Sequence, residues 1–66
     1  MIGLIECSTF NVEILEVNYN MKDGRYLMYK FSDENKVRKA KIDKDNNFSI
    51  PKVRKFNMNE VTKLDL

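Results

Sequence analysis

The 66-residue chain contains no histidine and a single cysteine, Cys7. The absence of histidine excludes a His-based catalytic triad, and one cysteine excludes both an internal disulfide and a zinc site built from Cys and His. With Gly3 and Gly24 as its only glycines, the chain has no glycine-rich phosphate loop. We therefore predict that the protein is not an enzyme, needs no cofactor or metal, and acts by binding.

Long hydrophobic runs are also absent. No stretch approaches the ~18 apolar residues of a membrane-spanning helix, and the apolar stretch before Glu6 is too short for the core of a signal peptide. The expected location is the cytoplasm, and the lone Cys7 agrees with a reducing compartment. Lysine, asparagine and isoleucine, which have AT-rich codons, are frequent, so we expect the source to be a low-GC bacterium or one of its phages or mobile elements.

The composition is that of a folded protein. Apolar residues make up 42% of the chain and charged residues 33%. This apolar fraction is too high for a disordered tail, and the length suits one small core. We expect residues 1–66 to form a single small β domain.

Two segments have the composition of β-strands. Residues 26–31, Tyr-Leu-Met-Tyr-Lys-Phe, are rich in aromatic side chains. Within residues 11–20 the alternation of apolar and polar side chains slips by one between Ile14 and Leu15, which predicts a β-bulge.

Turn residues suggest how the strands pair. Gly24 suits the left-handed position of a three-residue hairpin loop, Lys22-Asp23-Gly24, which would pair Met21 with Arg25. Further turns are predicted at Glu34-Asn35 and at Asp45-Asn46-Asn47. In this register one face stays apolar across the strands. The residues predicted to point inward include Leu15, Val17, Leu27, Tyr29, Phe31, Ala40, Ile42 and Ile50.

The predicted fold class is all-β or mainly β: a small antiparallel β-meander that closes into an SH3-like or OB-like barrel. Closure is expected because an open meander exposes two strand edges, which residues 2–7 and the C-terminal tail would cover. Pro51 is expected to end ladder pairing or to mark an edge. The spacing of Asn57 and Glu60 is typical of a helix cap, so residues 57–66 form either a short C-terminal helix or a final strand.

The same register predicts a partner-binding patch on the opposite, outward face of the sheet. Lys30 would lie opposite Lys39, and aromatic and thioether side chains add apolar area that a solvated face does not need. The patch comprises Tyr26, Met28, Lys30, Lys39 and Lys41. A second basic patch is predicted at Lys52, Arg54 and Lys55.

Charge is uneven along the chain although the net charge is only +2. Residues 1–35 carry three basic and six acidic side chains, whereas residues 36–55 carry eight basic and two acidic ones. We predict stoichiometric binding to another protein, as an inhibitor or adaptor, and a homodimer is left open. The alternative is nucleic-acid binding through the basic sheet face, and a merely solvated face whose lysines block edge association is the third interpretation.

One stretch resembles a known hairpin. Lys22-Asp23-Gly24-Arg25-Tyr26-Leu27, followed by Tyr29-Lys30-Phe31, is similar to a hairpin in the N-terminal arm-binding domains of some transposon and phage integrases. The resemblance implies a three-stranded sheet lying in the major groove of DNA. It adds weight to the nucleic-acid alternative.

Overall fold

A computed structural model describes residues 1–63 and confirms a mainly β protein. In chain order the described strands and the single turn of 3₁₀ helix are β1 (Gly3–Glu6), β2 (Asn11–Asn20), β3 (Gly24–Phe31), β4 (Arg38–Lys41), β5 (Asn47–Ile50), β6 (Arg54–Asn57), the 3₁₀ turn (Met58–Glu60) and β7 (Thr62–Lys63).

The strands form two antiparallel sheets. Among residues 1–63 the larger sheet has the order β4-β3-β2-β1-β7, and β5 pairs with β6 in a separate two-stranded sheet. Consecutive strands β2, β3 and β4 therefore make the predicted meander. Within residues 1–63 the two sheets do not join into a closed barrel, so barrel closure stays a prediction.

The β2–β3 hairpin differs from its predicted register by two residues. Asn20 pairs with Gly24, and Met21 lies in the turn instead of pairing with Arg25. The reason is Asn20, whose side-chain oxygen accepts a hydrogen bond from the Asp23 backbone N–H at 2.6 Å and so starts the turn one residue earlier. Gly24 has φ +75°, so it adopts the predicted left-handed conformation.

The predicted β-bulge is confirmed, and it changes which β2 residues reach the core. Ile14 pairs with Tyr29 and Glu16 with Met28, so the extra residue is Leu15. Val12 and Ile14 are fully buried, whereas Leu15 is half-buried and Val17 is 39% exposed. The prediction that Leu15 and Val17 point into the core together is therefore wrong, because the core lies under the other half of β2.

The β3–β4 connection is longer than predicted. Tyr29 lies opposite Arg38 and Met28 opposite Lys39, so Lys30 does not face Lys39. A turn closes early, with the Glu34 N–H donating to the Phe31 carbonyl at 3.0 Å. The shift is again two residues, so Leu27, Tyr29 and Ala40 still share the buried face.

The turn predicted at Asp45-Asn46-Asn47 would pair Ile42 with Ile50, but a hydrogen-bonded corner at residues 43–47 separates β5 from β4, and Ile50 pairs with Arg54. Asp43 Oδ1 accepts the backbone N–H groups of Asp45 and Asn47, both at 2.9 Å. Arg25 Nη2 donates to the Asp43 carbonyl at 2.8 Å and to Asn46 Oδ1 at 2.6 Å. These bonds turn the chain away from the large sheet, and β5 pairs with β6 instead.

The buried residues of both sheets form one hydrophobic cluster. Leu27 from β3 is fully buried, and Phe48 and Phe56 of the small hairpin are stacked with ring centroids 5.7 Å apart. Removing a side chain such as Leu27 from water stabilises the fold by roughly 1.5–3 kcal/mol. The core thus consists of Ile5, Val12, Ile14, Leu27, Tyr29, Ala40, Ile42, Phe48, Ile50 and Phe56.

Among the described residues, the predicted C-terminal helix is replaced by one turn of 3₁₀ helix, and the alternative, a final strand, is present as the short β7. β5 ends at Ile50, directly before Pro51, as expected for a residue that cannot donate to the ladder. The capping box is confirmed: Asn57 Oδ1 accepts from the Asn59 N–H and Glu60 from the Asn57 N–H, around one turn of 3₁₀ helix. β7 then pairs with β1, while residues 64–66 of the predicted tail lie outside the described residues.

Candidate functional site

The candidate site is the outer face of β3 and β4, defined here as the surface of the large sheet that faces away from the core. Along β3 the buried Leu27 and Tyr29 alternate with half-buried Tyr26 and Met28. The alternation follows from strand geometry, because successive side chains point to opposite faces. Tyr26 and Met28 therefore lie on the outer face, as predicted.

Two lysines of β4 flank these side chains. Lys41 lies opposite Tyr26 and Lys39 opposite Met28, and both lysines are exposed. Lys39 Nζ lies 4.7 Å from the centre of the Tyr26 ring, within the range of a cation–π contact. This contact restrains the Tyr26 ring on the outer face.

Lys30 lies on the same face but its ammonium group already has partners. Lys30 Nζ is 3.3 Å from Glu13 Oε2 and donates to the Glu34 carbonyl at 2.9 Å. Glu13 is its cross-strand neighbour on β2. The structure therefore brings Tyr26, Met28, Lys39 and Lys41 together. Lys30 instead holds the connection between β3 and β4 through the Glu34 carbonyl.

The charge of the outer face changes sign from β4 to β2. Lys39 and Lys41 lie on the edge strand, and Glu16 lies opposite Met28 on β2. Lys41 Nζ is also 3.8 Å from Asp23 Oδ1, although the lysine side chain remains 73% exposed. The face is thus an apolar centre with a basic side and an acidic side, and it is not a uniformly basic surface.

The free edge of β4 adds backbone groups to this site. The Ile42 N–H donates to the Arg25 carbonyl, so alternate residues of β4 point their backbone groups toward β3. The N–H and C=O groups of Lys39 and Lys41 consequently point away from the sheet. Within residues 1–63 no other strand pairs with this edge.

The second predicted patch is not brought together. Lys52 lies in the turn between β5 and β6, and Lys55 is exposed on β6 opposite Ser49. Arg54 is held by Glu60, with 2.9 Å between Nη2 and Oε1, and its guanidinium carbon lies 4.0 Å from the centre of the Phe56 ring. The hydrogen bond that Arg54 donates to Glu60 is the main reason why the pKa of Glu60 lies below its usual value.

A cleft on the core side of the large sheet was not predicted from the sequence. Its lining includes Phe31, Arg38 and the turn at residues 51–53. In the register predicted from the sequence, Arg38 lies opposite Phe31 on the otherwise apolar face, and this charged residue is the signal of the cleft in the sequence; in the structure Arg38 lies opposite Tyr29. The position of the turn depends on the corner at residues 43–47, which alternation of side chains does not specify.

Comparison of the chain with protein-family models, with curated proteins and with solved structures finds no match. Among the described residues no helix has the length and hydrophobicity needed to cross a membrane. Over the same range, no group of three or more Cys, Asp or Glu side chains is arranged to hold a metal ion.

Proposed function

We propose that the protein is a non-enzymatic binding module that docks another protein on the outer face of β3 and β4. The observation that carries this proposal is the placement of half-buried Tyr26 and Met28 between exposed Lys39 and Lys41. Tyrosine and methionine are enriched in protein interfaces. The partner that fits this face presents acidic side chains opposite β4 beside an apolar centre.

Three features favour a protein over a nucleic acid at this face. Glu16 lies next to Met28, Lys30 is paired with Glu13, and Asp23 partly neutralises Lys41. Carboxylates among the lysines repel phosphate groups, whereas a protein surface can supply side chains of both signs. The open backbone edge of Lys39 and Lys41 also suits a partner that adds an extended segment to the sheet.

A domain of this size that binds its partner stoichiometrically would act as an inhibitor or an adaptor. We propose this role, with a phage or mobile-element source suggested by composition and a cytoplasmic location with which the single cysteine agrees. Closure of the two sheets toward an SH3-like or OB-like barrel remains part of the proposal. The absence of catalytic activity is also part of the proposal.

Replacing Tyr26 by alanine tests the interface. We expect Tyr26→Ala to reduce capture of the partner from the native host at least tenfold, because aromatic side chains at the centre of an interface carry much of its binding energy. Bound proteins are identified by mass spectrometry after nuclease treatment. The melting temperature of each variant is measured in parallel.

Tyr19→Ala is the matched control, since Tyr19 lies on the neighbouring strand and is 68% exposed outside the patch. It is expected to keep full capture. Equal capture by both variants would exclude the proposed interface.

If Tyr26→Ala has a lower melting temperature than the wild type, the double variant Lys39→Glu, Lys41→Glu replaces it, and unchanged capture by that variant then counts against the proposal. Capture lost on nuclease treatment would favour the nucleic-acid alternative, and recovery of a second copy of this chain alone would favour a homodimer.

A further inference from the structure

The place beside β4 where a further strand of the large sheet would lie is open within residues 1–63. The Asp43 N–H donates to the Asn47 carbonyl at 2.9 Å, which begins an antiparallel hairpin between β4 and β5. The next pair of that hairpin would join Lys41 to Ser49. Instead β5 turns away at this point and pairs with β6.

Backbone groups face this open place from both strands. Those of Lys39 and Lys41 point away from the large sheet. Ser49 lies two residues after Asn47, so its backbone groups point to the same side as the Asn47 carbonyl that Asp43 reaches. A cleft of about 460 Å³ lies here, and its lining includes Lys41, Ile42, Phe48, Ser49 and Lys55.

The lysines of β4 determine the charge of a strand that can pair with this edge. Lys39 is exposed and makes no salt bridge among residues 1–63, and the Lys41 side chain is 73% exposed although Asp23 lies 3.8 Å away. Charged side chains on an edge strand oppose pairing with a strand that does not neutralise them. An acidic strand neutralises these two lysines.

A second copy of this chain does not fit the edge. If two β4 strands paired in antiparallel fashion about Ala40, Lys39 of each copy would lie directly opposite Lys41 of the other. Like charges in directly opposite positions destabilise a sheet, whereas opposite charges in those positions stabilise it. The charge of the edge therefore favours an acidic segment of a different protein.

We propose that β4 receives an extended acidic segment of the partner protein as an added antiparallel strand. The proposal rests on the proposed function, because the segment belongs to the partner that docks on the outer face. Lys39 and Lys41 each exchange their free N–H and C=O groups with an acidic residue directly opposite. An apolar side chain between these two acidic residues lies opposite Ala40 and points to the core side, toward Ile42.

Nuclear magnetic resonance titration of the ¹⁵N-labelled chain with short peptides tests strand addition. The probe is acetyl-Thr-Glu-Val-Glu-Thr-amide, and the charge control carries lysine in place of both glutamates. We expect saturable downfield shifts of the Lys39 and Lys41 amide protons, and roughly tenfold or weaker binding of the control. Equal binding of the two peptides, or no binding of the probe, would overturn the proposal.

Two methylated forms of the probe separate backbone pairing from attraction between charges. In the proposed register the glutamate N–H groups point toward β4, and the valine N–H points away. Methylation of one glutamate nitrogen should weaken binding roughly tenfold or more, because it removes a donor and places a methyl group against β4. Methylation of the valine nitrogen is the matched control and should have little effect. Equal effects, or a larger effect at valine, would contradict the antiparallel strand.

Two variants of Lys39 distinguish failure of this inference from failure of the proposed function. Lys39→Pro and Lys39→Ala both remove the charge, but only proline removes the N–H that points away from the sheet, a position where edge strands tolerate proline. We expect Lys39→Pro to bind the probe, and to capture the partner, roughly tenfold or more weakly than Lys39→Ala.

Equal capture by the two Lys39 variants together with loss of capture by Tyr26→Ala would contradict strand addition and leave docking on the outer face supported. Capture at the wild-type level by all three variants would contradict both proposals. If Lys39→Pro does not fold, the two methylated peptides on the wild-type chain decide.

Discussion

At the scale of single residues, the alternation along β3 determines which side chains form the proposed binding surface. Leu27 and Tyr29 are buried, and Tyr26 and Met28 between them are not. This alternation was predictable, because between the turn and the bulge of the β2–β3 hairpin, and in the β3–β4 hairpin, the register differs from the predicted one by two residues, which leaves these side chains on their predicted faces; beyond the bulge the difference is three, and Ile14 replaces Leu15 in the core. A shift of one would have exchanged the core and the outer face.

Alanine substitutions at two paired positions test the corrected register of β2. Val17 lies directly opposite Leu27, yet only Leu27 is fully buried. We expect Leu27→Ala to lower the free energy of unfolding by about 2–5 kcal/mol, because it leaves a cavity in the core. Val17→Ala should cost less than about 0.5 kcal/mol, as is usual for surface positions. The measurement is equilibrium unfolding in urea, and similar costs at both positions would support the register predicted from sequence.

At the scale of elements, the turns determine where strands end and which strands pair. The first hairpin and the capping box could be predicted because Gly24, Asn57 and Glu60 have specific local roles. The departure of β5 from the meander could not, because it depends on hydrogen bonds between distant parts of the chain. Arg25 of β3 and Asn57 of β6 both donate to the corner at residues 43–47.

The carboxylate of Asp43 at this corner is expected to make the stability of the fold depend on pH. Hydrogen bonds from the backbone N–H of Asn47 and then of Asp45 hold the pKa of Asp43 below its ordinary 3.8. A carboxylate with a lowered pKa in the folded state stabilises the fold above its unfolded pKa, and this contribution is lost as the pH falls through the folded pKa. Asp43→Asn keeps an oxygen acceptor but cannot titrate there.

We therefore expect Asp43→Asn to lose less stability than the wild type when the pH falls from neutral to below 3.8. Thermal unfolding followed by circular dichroism over this range measures the difference. An identical loss in the variant and the wild type would show that the corner does not depend on ionised Asp43.

At the scale of the whole molecule, the charge distribution matters more than the net charge of +2. The uneven distribution along the chain was evident from the sequence, but its arrangement on the surface was not. Lys30 and Arg54, which belong to the predicted basic patches, are paired with Glu13 and Glu60. What remains on the outer face is a basic edge beside an apolar centre, and this arrangement favours a protein partner.

Methyl resonances of methionine offer the most direct test of partner binding at this face. Three of the four methionines lie in different surroundings: Met28 is on the outer face, Met21 is 94% exposed at the hairpin tip, and Met58 packs against the core. On titration of ¹³C-methyl-methionine protein with the partner identified by capture, we predict that the Met28 methyl signal shifts or broadens while those of Met21 and Met58 stay unchanged. An unaffected Met28 signal together with a shifted Met21 signal would contradict docking on the outer face of β3 and β4.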